Sequence, residues 1–122
     1  MELCNLKRDI DEAMSLGKPE VTARLTACIR GAADARARLG ANAIALEFYI
    51  QAVRTSLSLP DAADGDLRFE QEASVRALSD FMVRQNGRDR AIAFWQALAQ
   101  DHAVTLYANI ADAEAKRLAP PH

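Results

Sequence analysis

The sequence predicts an all-α protein, a single-domain bundle of four to five helices with a long C-terminal helix. The first observation is composition. The 122-residue chain has 25 alanines and 13 leucines, against 15 valines, isoleucines and threonines together. Alanine and leucine lose little entropy in a helix, whereas β-branched side chains are stiff there. The second observation is that apolar residues recur every three or four positions in five segments, which is typical of amphipathic helices. We expect one domain over residues 1–119 and a frayed tail over 120–122.

The first two predicted helices cover residues 2–16 and 19–39. Between them, glycine at the end of one helix and Pro19 in the first turn of the next mark the boundary. Gly40 predicts the C-cap of the second helix. Gly31, in its middle, either permits a close helix crossing or only weakens the helix. The apolar face expected on the second helix comprises Val21, Leu25, Cys28, Ile29, Ala32, Ala35 and Leu39.

The third and fourth predicted helices are separated by an acidic loop over residues 60–66. The third helix, residues 41–59, is apolar nearly all round, which is typical of a helix at the centre of a bundle. Asp66 is a candidate N-cap for the fourth helix, which runs to about Gln85. Asn86 and Gly87 then predict a left-handed C-cap, because the flanking residues have helical spacing. The expected core residues of the fourth helix are Val75, Leu78, Phe81 and Met82.

The fifth predicted helix, residues 88–118, would be about 46 Å long if unbroken. A break near Gln100 and Asp101 is the alternative. His102 and Asn109 lie in line with Trp95 at the edge of its main apolar face, where they could contact a ligand or set the register of a helix pair. The simpler interpretation is that both are boundary residues bonded to neighbours. The main apolar face comprises Ile92, Trp95, Leu98, Ala99, Leu106, Ile110 and Ala113.

A second side of the fifth helix carries a stripe of small residues, which would let another helix approach closely. The alternative is that alanine occupies solvent positions because it is the best helix former. This stripe is the candidate protein interface, and it comprises Ala93, Ala97, Val104, Ala108, Ala111 and Ala115.

Sequence patterns for enzymatic chemistry are missing. The five glycines lie too far apart for a phosphate-binding loop, and no Glu-x-x-His pattern is present. The acidic loop does not fit a calcium-binding hand, because Pro60 and Gln71 would occupy positions that need acids. We therefore expect no catalytic residues, no cofactor and no metal site.

Cys4 and Cys28 match no common zinc spacing, and we expect both to be reduced thiols. No apolar run approaches the roughly 18 residues of a membrane span, and the amino terminus lacks a signal-peptide pattern, so we expect a cytoplasmic protein. The excess of arginine over lysine, 12 to 3, together with the alanine content is typical of a GC-rich bacterial genome.

Two groups of arginines are candidate contacts for nucleic acid. One group lies on the second predicted helix, where Asp34 is four residues from both Arg30 and Arg38 and is spaced to pair with them. The other group surrounds Gly87, and Asp89 lies between two of its arginines. The net charge of −2 also disfavours a polyanion as the partner. The two groups are Arg24, Arg30 and Arg38, and Arg84, Arg88 and Arg90.

These patterns favour a small non-enzymatic protein-interaction module: an adaptor, a chaperone-like protein or an inhibitory regulator. Its partner would be another protein, and it would form a homodimer through the small-residue stripe of its last helix. The first alternative is a nucleic-acid-binding regulator that uses the arginine face of the second helix. The second alternative is a small-ligand sensor or enzyme with a pocket beside Trp95, His102 and Asn109.

Overall fold

A computed structural model describes residues 19–57, 65–101 and 105–119 of the chain. This part is helical and contains no strand, so the all-α prediction is confirmed. The first predicted helix, residues 2–16, and the predicted tail, residues 120–122, lie outside the described residues. The helices of the described part are α1 (Pro19–Arg38), α2 (Asn42–Ser56), α3 (Gly65–Asn86), α4 (Arg88–Asp101) and α5 (Thr105–Leu118).

The chain divides into two compact units. The N-terminal unit is Met1–Leu78 and the C-terminal unit is Ser79–His122, so α3 contributes residues to both. The single domain expected from chain length stays a prediction, and each unit is described by itself below.

The N-terminal unit is built on the packing of α1 against α2. Its core contains Leu25 and Ile29 from α1 and Ala52 from α2, with Val21 and Phe48 packed against them. Residues three and four apart lie on the same face of a helix, so the predicted apolar spacing places Leu25 and Ile29 together. The small side chain of Ala52 lets the two helices approach closely at this point.

The turn between α1 and α2 is formed by a Schellman motif at Gly40. The backbone N–H of Ala41 donates to the carbonyl oxygen of Arg36 at 2.9 Å. The backbone N–H of Gly40 donates to the carbonyl oxygen of Ala37 at 3.1 Å. Gly40 has a φ of +80°, a left-handed conformation that glycine adopts without the steric cost of a Cβ. The predicted C-cap at Gly40 is confirmed.

Polar contacts join α3 to both other helices of the N-terminal unit. Arg30 of α1 bonds to Glu70 at 2.5 Å and to the hydroxyl of Ser74 at 3.2 Å. The buried amide of Gln71 donates to the backbone carbonyl of Ser56, at the end of α2, at 2.8 Å. These bonds satisfy polar groups that would otherwise cost about 1–3 kcal/mol each when buried.

The helix α2 is less buried than its composition predicts. Leu46, Phe48 and Ile50 are half-buried, and Ile44 is exposed. The contacts that bury α2 act mainly on its C-terminal half, where Val53 and Leu57 are buried. Part of the apolar surface of α2 is therefore open to solvent, and its position at the centre of a bundle stays a prediction.

Gly31 lies mid-helix, exposed, with no atom within 4 Å of the place that a Cβ would occupy. Among the described helices, no close crossing uses this position, and there the glycine only weakens α1. We expect Gly31→Ala to raise the free energy of unfolding by about 0.5–1 kcal/mol, because alanine has the higher helix propensity and restricts the unfolded chain. Urea denaturation followed by circular dichroism measures this change. A destabilised variant would show that the site has a packing role.

The C-terminal unit contains the end of α3, followed by α4 and α5. The expected core residues of α3 are all buried: Phe81 and Met82 belong to this unit, and Val75 and Leu78 belong to the N-terminal unit. Gly87 has a φ of +92° and separates α3 from α4, which confirms the predicted left-handed C-cap. Asp66 lies inside α3, which spans Gly65–Asn86, so the predicted N-cap at Asp66 is wrong.

The predicted long C-terminal helix is wrong. Two helices of 14 residues each, α4 and α5, replace the 31-residue helix, and they pack against each other. The break follows Asp101, at the position that the sequence offered as an alternative. Two short helices can bury their apolar faces against each other, whereas a single straight helix of this length needs other elements to cover it along its whole length.

Cys28 forms a disulfide bond, so the prediction of two reduced thiols is wrong; Cys4 lies outside the described residues. Disulfides persist in oxidising compartments and are rare in the cytosol. The cytoplasmic location therefore stays a prediction. A disulfide at Cys28 in cells would disfavour it, and a reduced thiol would favour it.

Candidate functional site

A buried polar network surrounds Glu114 of α5 in the C-terminal unit. The indole Nε1 of Trp95, on α4, donates to the hydroxyl of Ser79 at 2.8 Å. That hydroxyl in turn donates to a carboxylate oxygen of Glu114. Arg117 binds the same carboxylate through two nitrogens, with its Nη2 at 2.9 Å. Ser79 and Arg117 therefore bind the buried carboxylate directly, and Trp95 of α4 is linked to it through Ser79.

The charge of Glu114 is balanced inside the unit. The pKa of Arg117 is raised, first because its side chain hydrogen-bonds to Glu114 and further because of the negative charges of Glu114 and Asp80, while burial acts in the opposite direction. Both oxygens of Glu114 accept hydrogen bonds. The network therefore joins three helices, and its carboxylate is committed to internal partners instead of being open to a substrate.

The predicted ligand residues do not lie in one environment. Trp95 has no exposed surface, and the edge of Phe94 packs against its ring with centroids 5.2 Å apart. Asn109 is exposed on α5. His102 lies outside the described residues. The described residues thus show Trp95 packed as a core side chain, with its polar atom bonded to Ser79.

The predicted small-residue stripe is divided between surface and core. Ala93 and Ala97 of α4 are exposed, whereas Ala111 and Ala115 of α5 are buried. Val104 and the side chain of Ala108 lie outside the described residues. The prediction of this stripe assumed one continuous helix, in which the position of a residue in the sequence sets its angle about the helix axis. After the break, α5 has its own rotation about its axis, and it faces inward with Ala111, Glu114, Ala115 and Leu118.

The same break changes the main apolar face. On α4 the predicted residues Ile92, Leu98 and Ala99 are half-buried beside Trp95. On α5, Ala113 is exposed although the continuous helix would have buried it. The inward face of α5 is therefore shifted by about one residue, or about 100° of rotation.

The arginine face predicted on α1 loses its central residue. Arg24 and Arg38 are exposed, but Arg30 is half-buried and bonded to Glu70. Asp34, which is spaced to pair with Arg30, instead accepts a hydrogen bond from the hydroxyl of Tyr49 on α2. Contacts with other helices thus replace the pairing between Arg30 and Asp34 that helix spacing predicts. The two exposed arginines of this face, Arg24 and Arg38, lie fourteen positions apart in the sequence.

Three large apolar side chains of the N-terminal unit are open to solvent. Leu39 is 76% exposed, Phe69 65% and Ile44 47%. Leu39 and Ile44 lie on either side of the α1–α2 turn, and we call this pair the apolar turn surface. The sequence placed both in apolar helix faces. In the sequence, the position of Leu39 directly before the helix-ending Gly40 is the one signal of its exposure.

Other kinds of site find no support in the described residues. In residues 19–57, 65–101 and 105–119, no three His, Cys, Asp or Glu side chains lie close enough together to hold a metal ion. None of the helices in these ranges combines the length and apolar character needed to cross a membrane.

The fold and its exposed side chains define the chain as an all-α protein with buried polar networks and an apolar turn surface. No protein-family model, curated protein or solved structure matches it.

Proposed function

We propose that this chain is a small non-enzymatic protein-interaction module, built as a helical bundle, that binds another protein. The observation that carries the proposal is the apolar turn surface, where Leu39 and Ile44 are exposed on either side of one turn. Full burial of a leucine or isoleucine contributes about 1.5–3 kcal/mol. Covering the already exposed parts of these two side chains would therefore contribute about 2–3 kcal/mol to binding.

The polar groups of the structure support this proposal over an enzymatic role. Glu114 is the buried carboxylate of the C-terminal unit, and Arg117 and Ser79 occupy its oxygens. In the N-terminal unit, Arg30 is bonded to Glu70 and Ser74. A group held in this way is a poor proton donor or nucleophile, so these residues stabilise the helices instead of serving chemistry.

We do not extend the proposal to a homodimer through the six-residue stripe. Ala111 and Ala115 are in the core and cannot meet a second copy without unfolding α5. Ala93 and Ala97 remain exposed, but two alanines offer little apolar area compared with the apolar turn surface. The exposed leucine and isoleucine are therefore the better candidates for contact with a partner.

Site-specific photocrosslinking in the cell of origin tests the proposal. With a photoreactive phenylalanine analogue in place of Leu39, we expect a covalent adduct with a second protein, identified by mass spectrometry. The matched control carries the analogue at Gln96, which is exposed on α4. Covering the 47% of Ile44 that is exposed would contribute about 0.7–1.4 kcal/mol. Adding Ile44→Ser to the Leu39 variant should therefore lower the adduct yield about three- to ten-fold. Equal adducts from Leu39 and Gln96 would refute the proposal.

A further inference from the structure

Three arginines surround the turn that joins α3 to α4. Arg84 is in the last turn of α3, and Arg88 and Arg90 are in the first turn of α4. All three are exposed, and they lie within seven residues of chain. We call this group the arginine turn.

The acidic residues next to the arginine turn do not neutralise it. Asp80 is four residues before Arg84, the spacing at which helix residues pair, but no ion pair joins these two described residues. Asp89 lies between Arg88 and Arg90, and adjacent helix residues do not face each other. Within residues 19–57, 65–101 and 105–119, no carboxylate lies within ion-pair distance of any of these three arginines.

The other basic residues of the C-terminal unit are paired. Lys116 is 2.9 Å from Asp112, and Arg117 is bound to Glu114. The unit as a whole carries five basic and five acidic residues. The positive charge of the unit is thus unevenly distributed. In the described part of the unit, the basic side chains without an ion-pair partner are those of the arginine turn.

We propose that the arginine turn binds an acidic segment of a partner protein. This inference rests on the proposed function, because it names the chemistry of one part of the partner. Guanidinium groups bind carboxylates through paired N–H donors, and the N terminus of α4 adds partial positive charge beside them. A nucleic-acid backbone fits less well, since it would require a longer basic surface than three residues in a unit without net charge.

Peptide binding to the full chain tests the inference. The probe is a short fluorescein-labelled oligo-glutamate peptide, measured by fluorescence anisotropy at low ionic strength, with a serine–glycine peptide of equal length for comparison. We expect the oligo-glutamate alone to bind, and its affinity to fall steeply as salt is added. An absence of oligo-glutamate binding at low salt would overturn the inference.

Two triple variants with the same change in net charge separate the arginine turn from the overall charge of the chain. The first combines Arg84→Gln, Arg88→Gln and Arg90→Gln. The second combines Arg24→Gln, Arg38→Gln and Arg54→Gln, which are exposed arginines elsewhere. An exposed ion pair is worth roughly a factor of two to five, so the first variant should bind oligo-glutamate about ten-fold more weakly or worse. The second should stay within about three-fold of the unmodified chain.

Four results decide between the explanations for oligo-glutamate binding and for the Leu39 adduct. Equal losses in the two triple variants would overturn the inference in favour of general charge. Tighter binding of a single-stranded oligonucleotide through the same three arginines would overturn it in favour of nucleic acid. If the Leu39 adduct persists while oligo-glutamate fails to bind, this inference alone fails. If the adduct is lost while oligo-glutamate still binds through the arginine turn, the apolar turn surface fails and the acidic-segment site stands.

Discussion

Replacing Trp95 with alanine is expected to lower the free energy of unfolding by about 3–5 kcal/mol. The indole is fully buried, and its removal leaves a cavity among the helices of the C-terminal unit. It also removes the N–H group that donates to Ser79, within the network that holds Glu114. Thermal and urea denaturation followed by circular dichroism measure the change.

Two further variants separate the cavity from the hydrogen bond and keep the prediction testable if the alanine variant does not fold. Trp95→Phe retains an aromatic ring but lacks the indole N–H, and we expect it to cost about 1–2 kcal/mol. Gln96→Ala, at the exposed neighbouring position, should change stability by less than about 0.5 kcal/mol. A Trp95→Ala variant as stable as Gln96→Ala would contradict the described packing of α4.

Replacing Ile29 with alanine is expected to cost about 2–5 kcal/mol in the N-terminal unit. Ile29 has no exposed surface and packs with Leu25 and Ala52 at the contact between α1 and α2. Ile44→Ala is the matched control. Because Ile44 is about half exposed, the same truncation there should cost less than about 1 kcal/mol. Comparable losses at the two positions would show that the core of this unit is not at Ile29.

The Ile29→Ala variant also tests the predicted single domain. Trp95 is the one tryptophan of the chain and belongs to the C-terminal unit, so its fluorescence reports on that unit alone. If residues 1–119 fold as one cooperative domain, Ile29→Ala lowers the midpoint of the fluorescence transition as much as that of circular dichroism. A fluorescence midpoint unchanged from the unmodified chain would show that the two units unfold independently.

In the described residues, the sequence by itself determined which segments are helical and the helix ends that glycine caps, because these depend on local interactions. Alanine and leucine favour helix wherever they fall, and the ends are set by single residues with special backbone behaviour. Gly40 and Gly87 adopt the left-handed conformation expected of them. Local spacing also identified the strongest core positions, among them Ile29, Leu78 and Trp95.

The tertiary structure decided which of these apolar and charged residues remain at the surface. Leu39 and Ile44 lie in helix faces that look apolar, yet no part of the described structure covers them fully. Arg30 and Asp34 are spaced to pair with each other, but Glu70 and Tyr49 are their partners. The three- or four-residue spacing within one helix predicts neither the exposure of these apolar residues nor these ion-pair and hydrogen-bond partners. Both depend on which distant helix packs against the one that carries the residue.

The break after Asp101 had the largest effect on the candidate sites. Helical spacing predicts a shared face only within one continuous helix, since each residue is rotated by about 100° from the last. Where the helix is interrupted, the rotation of the next helix about its own axis is set by which of its faces packs against the core. Packing of α5 against α4 therefore took Ala111 and Ala115 into the interior and left Ala113 outside. The sequence determined which segments are helical, whereas packing determined how each helix is rotated, because rotation depends on contacts between distant residues.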